Sequence, residues 1–153
     1  MNYKTQQYIL QLDRQYEKVK QVEDDEIKSM LTKFLCVRTS GLLENYIKSR
    51  IGDYTQGRVP KEVNRYISQK FKDITNLKCN RLKDVLDSFS NEWSEEFLTY
   101  IEEHEQQKNS IESLITNRHN IAHGQNVGMS FSILEQYYED VKAVITKLET
   151  IIR

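Results

Sequence analysis

An all-α fold is what this sequence predicts, on three observations. Apolar residues recur at helical spacing along nearly the whole chain. One proline and five glycines in 153 residues give too little turn punctuation for a series of short strands. Asp, Ser and Pro stand where helices of that spacing would begin.

A first helix is predicted over about residues 2–22, with Ile9, Leu12, Tyr16 and Val19 in register. Asp24 or Asp25 can cap the second, whose stripe runs Ile27, Met30, Leu31, Phe34, Leu35, then Leu42, Leu43, Tyr46 and Ile47. Gly41 lies inside it, at a cost of about 1 kcal/mol relative to alanine, which points to close helix packing there. Gly52 to Pro60 reads as a loop, and Pro60 opens a third helix with Val63, Ile67, Phe71 and Ile74 on one face. A shorter helix carries Leu82, Val85, Leu86 and Phe89. Ser90 caps the next, with Trp93, Phe97, Leu98 and Ile101 inward. Another, over about residues 105–121, turns Ile111, Leu114 and Ile115 to the core. Ser132 and Glu135 form a capping-box pattern before the last helix. Its buried face reads Leu134, Tyr137, Tyr138, Val141, Val144, Ile145, Leu148, Ile151 and Ile152.

The length fits one domain over residues 1–153, long enough to bury a core without staples. Hydrophobic residues at 38% and charged residues at 29% place the chain among ordinary globular proteins rather than disordered or membrane ones. No apolar run approaches the roughly 18 residues a spanning helix needs. The first residues lack a basic stretch followed by an apolar one, so no signal peptide is expected and a cytoplasmic location is the default. Cys36 and Cys79 are isolated within helical pattern and read as buried free thiols. The formal net charge of −1 gives no global field for nucleic acid, so any such contact must be local.

Local charge is uneven. From Arg58 to Lys83 stand Arg58, Lys61, Arg65, Lys70, Lys72, Lys78, Arg81 and Lys83 against two acids, Glu62 and Asp73, a net +6. From Asp84 to Glu105 there are eight acids and no Lys or Arg, a net −8. Two solvated helix faces would explain this, and so would a basic rim for a phosphate backbone beside an acidic surface.

The densest chemistry lies in "NRHNIAHGQ", Asn117 to Gln125, which holds two of the three histidines. Arg118 and His123 suit phosphoryl transfer. A guanidinium can clamp the equatorial oxygens of a cleaving phosphodiester. A histidine can move a proton from a 2′-OH or to a leaving 5′-oxygen. No metal is needed when the nucleophile is the ribose hydroxyl itself. On a straight helix the two residues stand about 140° apart and share no face. Either the helix breaks near Ala122, helped by Gly124, and His123 swings back, or two subunits contribute the same helix end to one site. The same cluster also serves simply as a helix C-terminal cap, where cations oppose the macrodipole. His119 and His123 have the i, i+4 spacing of metal ligands but lack an evident third, and no metal or other cofactor is expected. Tyr137, Tyr138 and Trp93 read as packing residues before they read as base-stacking ones.

"RHNIAHG" after "SIESLITN" resembles the signature of the HEPN superfamily, and of its RiboL-PSP type in particular. "SGLLENYIKSR" at Ser40 to Arg50 and the serine-capped last helix from Met129 add to the resemblance, which runs from about residue 27 onward. The resemblance implies a helical bundle with a long central helix pair and short accessory helices, assembled as a homodimer whose motifs face one another. It implies a metal-independent endoribonuclease of the toxin or antiviral-defence kind, acting on RNA, with an antitoxin or defence-system protein as a further partner. By position, Arg118 and His123 are the catalytic pair, His119 is the polar motif residue, Asn120 falls in the variable run, and Glu44 is an acid that could position Arg118. A non-catalytic HEPN dimer that binds RNA or a protein is the alternative. Relatives paired with nucleotidyltransferase antitoxins carry a tyrosine for adenylylation two residues past the histidine, where this chain has Gln125.

Overall fold

A computed structural model describes residues 1–153. It holds seven α-helices and no strand: α1 Tyr3–Lys20, α2 Asp25–Thr55, α3 Lys61–Phe71, α4 Cys79–Asp87, α5 Asn91–Glu103, α6 Glu105–Ala122 and α7 Phe131–Ile151. The 31-residue α2 is the axis, in contact with α1, α3, α6 and α7. α1 runs antiparallel to it: Asn2 meets Asp53, Tyr8 donates to the Arg38 carbonyl, and the Tyr16 and Thr39 hydroxyls lie 2.7 Å apart. One cluster of 29 buried residues, drawn from every helix except α3, forms the core. No helix is long and apolar enough to cross a membrane.

The predicted starts hold at Asp24 and Ser90, whose side chains accept the Ile27 and Trp93 amides at 2.9 and 3.4 Å. At α7 the cap is Ser130, two residues earlier than expected. Ser132 is already helical, and Glu135 reaches Lys20 at 3.5 Å instead of closing a capping box. The earlier start lets Phe131 pack on Tyr16, with ring centroids 5.9 Å apart. The expected loop at Gly52 is also shorter. α2 continues to Thr55, whose hydroxyl turns back to the Ile51 and Gly52 carbonyls. The reversal comes at Gly57, with φ +75°.

Several inward assignments change. Ile27, Met30 and Phe34 are 49, 62 and 49% exposed. The face α2 buries there is Thr32, Leu35, Cys36, Thr39 and Ser40. Small and hydroxyl-bearing residues line it because neighbouring helices come close. Gly41 shows the same crowding, since a Cβ there would stand 3.1 Å from the Tyr8 hydroxyl. Leu98 and Val63 are exposed, Tyr137 is half-buried, and Ile74 is buried but lies beyond α3. Trp93 is core, edge-on to Tyr54 at 4.8 Å. Both thiols are buried and free. Burial pushes each up to about 12, against the opposing pull of the Arg118 charge at Cys36 and with the help of Glu112 at Cys79.

Candidate functional site at the end of α6

α6 delivers the motif because Ile111, Leu114 and Ile115 anchor it in the core. The Cys36 thiol of α2 meets the Leu114 carbonyl at 3.8 Å, one helical turn before Arg118. Beyond Ile115 the helix turns polar and emerges. Arg118 and Asn120 are half-buried, and His119 and His123 are exposed.

The helix ends in a closed cap. Gly124 has φ +68°, a conformation open to glycine and costly for other residues. Its amide donates to the Ile121 carbonyl at 3.1 Å, and the Gln125 amide donates to the Asn120 carbonyl at 2.9 Å. These are the paired closing bonds of a helix with a left-handed residue after its last turn. Asn120 and Gln125 therefore both serve the cap through their backbones. His123 comes before the reversal and keeps an α-helical bond from its amide to the His119 carbonyl, 3.1 Å. Its position is still set by the helix, about 140° around from Arg118. The break comes one residue too late to swing it back.

The side chains accordingly part company. The His123 ring lies against that of His119, with centroids 4.4 Å apart. Arg118 goes the other way, its Nη1 reaching Asn76 Oδ1 at 3.5 Å. No hydrogen bond joins Arg118 to His123 within one chain.

Glu44 on α2 makes no ion pair with Arg118. Its Oε1 accepts the backbone amide of Asn76 at 3.2 Å. It fixes Asn76, and Asn76 meets the arginine. Asn76 has φ +54°, the only positive value outside glycine. Asparagine tolerates this conformation better than other side-chain-bearing residues.

Asn76 is the site residue that sequence reasoning missed, and Lys78 reads from the sequence only as one cation of the basic segment. With Ile115, Thr116 and His119 they line a shallow cavity of about 270 Å³ beside the motif. Lys78 approaches Glu112 at 3.8 Å, and Glu112 also accepts the Cys79 amide at 2.9 Å. An asparagine between two helical patterns is the one signal for Asn76. Nothing in the spacing places either residue beside Arg118. The cavity wall thus offers one ammonium and one imidazole, with the Arg118 guanidinium beside it at Asn76 and the His123 ring behind His119; these are groups that hold phosphates and move protons. No group of three His, Cys, Asp or Glu side chains is placed to hold a metal ion.

Comparison with curated proteins and with solved structures returns no match. A family model described as RiboL-PSP-HEPN matches residues 3–153. That span takes in the motif, its cap, the α2 segment that carries Glu44 and all seven helices, so the chain belongs to the RiboL-PSP-HEPN family.

Proposed function

We propose that the protein is an endoribonuclease of HEPN type that cuts RNA without a metal at a site shared by two subunits, and that it serves as a toxin or an antiviral-defence effector. The observation that carries the reading is the geometry of the α6 end. Arg118 and His123 are both held at one rigid, capped terminus, yet on directions about 140° apart. A second copy facing the first would set the arginine of one chain opposite the histidine of the other.

The chemistry then follows from the groups present. One histidine takes the proton of the ribose 2′-OH. The 2′-oxygen attacks phosphorus, and the bond to the 5′-oxygen breaks. A histidine proton goes to that 5′-oxygen as it leaves. Arg118 holds the equatorial oxygens while their charge builds. His119 lies against His123 and orients it or the phosphate.

α2 supports the dimer. Met30, Val37 and Glu44 recur every seven residues and drift only about 20° per step, so they lie along one side of the helix. Ile27, Met30, Phe34 and Val37 are all exposed there, opposite the buried face. A helix apolar on both faces is a helix buried on both faces. The stripe runs toward Glu44, which holds Asn76 beside Arg118. A two-fold contact along it would bring two α6 ends together.

The test is cleavage of single-stranded RNA by the purified protein in EDTA. The expected products are a 2′,3′-cyclic phosphate or 3′-phosphate and a 5′-hydroxyl, with no cutting of DNA. Equal cutting of a 2′-deoxy substrate, or loss of cutting on chelation, contradicts the reading.

A further inference from the structure

α3 contributes no buried residue to the protein. It is held by the Thr55 hydroxyl on the Asn64 side chain, 2.8 Å, by the Lys48 ammonium on the Lys72 carbonyl, 2.9 Å, and by half-buried Ile67 and Phe71 packed against the core, Phe71 at 5.7 Å from Phe89. A helix that adds so little to the core leaves its outer side free for something else.

One flank of that helix is basic. Lys61, Arg65 and Lys72 fall within about 40° of one another around the helix and span about 16 Å along it. All three are exposed. Of the eight basic residues between Arg58 and Lys83, only Lys78 stands in an ion pair, and that one is long at 3.8 Å. The acids within that segment are Glu62 and Asp73, and neither forms an ion pair with the row. Unpaired cations in line are a poor device for stability, because they repel one another. They are a good device for a polyanion, which sheds its own counterions on meeting them.

The row also leads somewhere. Lys72 ends it, and Asn76 is four residues further on, at most about 14 Å away. Asn76 meets Arg118, and Asn76, Lys78 and His119 line the cavity beside the motif.

From this arrangement we infer that the Lys61–Arg65–Lys72 row is a landing track for single-stranded RNA that feeds the strand into the cavity at Asn76 and Lys78. The nature of the polymer rests on the nuclease reading above. The track supplies affinity without sequence preference, since phosphates carry no sequence information. Length and threading of the substrate, rather than base identity, are selected there.

The experiment separates binding from cutting. The probe is a short 2′-O-methyl oligoribonucleotide, which the proposed chemistry cannot cleave. Binding is followed against salt for the wild type and for the variant Lys61→Ala, Arg65→Ala, Lys72→Ala. With no buried residue in α3, the variant should melt as the wild type does. Each phosphate left without its cation lowers the slope of log K against log salt by about 0.7, so the three together lower it by about 2. Binding should weaken at least about ten-fold at low salt. On cleavable RNA the KM should rise while kcat holds. Lys61→Arg with Lys72→Arg should bind as the wild type. Unchanged affinity and slope in the alanine variant overturn the track. So does unchanged oligonucleotide binding with a fall in sedimentation at low salt, which would make the row a contact for the acidic segment of a second copy. If wild type binds, the variant does not, and no RNA is ever cut, the track stands and the nuclease reading fails.

Discussion

Arg118→Ala removes the guanidinium that would hold the developing charge, and His123→Ala removes the proton carrier. Losses of about 10²–10³-fold and 10²–10⁴-fold in cleavage rate are the usual scale for such groups. Both side chains lie at the outer end of α6, so neither change should move the melting temperature by more than a degree or two; single-turnover cleavage and a thermal melt check the pair. A collapse of the fold in His123→Ala would make the cluster a cap and nothing more. Gly124 is a different case. A Cβ there meets nothing within 4 Å, so the penalty for Gly124→Ala is purely that of the left-handed backbone at φ +68°, about 1–2 kcal/mol. The residue identities in this motif are legible in the sequence. Their directions are not. Spacing yields the 140° offset, and Gly124 marks the reversal just past His123, but residue types do not encode that Arg118 turns to Asn76 and His123 to His119. For Glu44 the family resemblance suggests an acid that positions the arginine, and nothing in the sequence shows its bond to the Asn76 amide.

α2 shows the same limit at the scale of an element. Its start and its length through Ile47 follow from periodicity and capping, and Gly41 signals a close helix contact without naming α1 as the partner. Its inner face follows over Leu35, Leu42, Leu43, Tyr46 and Ile47, but in the first turns size and apolarity point to Ile27, Met30 and Phe34, which are exposed. Thr32, Cys36, Thr39 and Ser40 are buried, and Ile27, Met30, Phe34 and Val37 face out. Two apolar stripes on one helix cannot be ranked from sequence without knowing how closely its neighbours approach. The outward stripe gives the dimer a direct test. Phe34→Asp should leave the monomer folded, since the side chain is half in solvent already, and should shift sedimentation at tens of micromolar from dimer to monomer. A wild type that sediments as a monomer under those conditions, or a variant that stays dimeric, removes the stripe from the interface.

For the molecule as a whole, the all-helical class and most of the core are readable, because seven segments of helical periodicity leave little room for another architecture. The short α4 is readable from Leu82, Val85 and Leu86, whereas the segment from Lys72 to Lys78 is the least readable, since tertiary packing rather than local pattern holds it in place. The core also sets an alkaline limit. The Cys36 and Cys79 thiols rise from ordinary values near 9 to about 12, and burial raises the Tyr16, Tyr46 and Tyr138 hydroxyls as well. A group whose folded value is raised contributes stability below its unfolded value and loses it as pH climbs toward the folded one. Melting temperature should therefore fall steadily from about pH 9 to pH 12, the window set by the two thiols. Cys36→Ala with Cys79→Ala should flatten the first part of that fall.

The shared site is tested most directly by mixing two inactive proteins. Arg118→Ala and His123→Ala subunits are combined, allowed to exchange, and assayed on RNA in EDTA. In a mixed dimer one site loses both groups and the other keeps its arginine from one chain and its histidine from the other. Random exchange should then recover about a quarter of the wild-type rate. If the mixture stays as inactive as either variant, while wild-type subunits exchanged with either variant keep cutting, each site draws both groups from one chain and the shared site is contradicted.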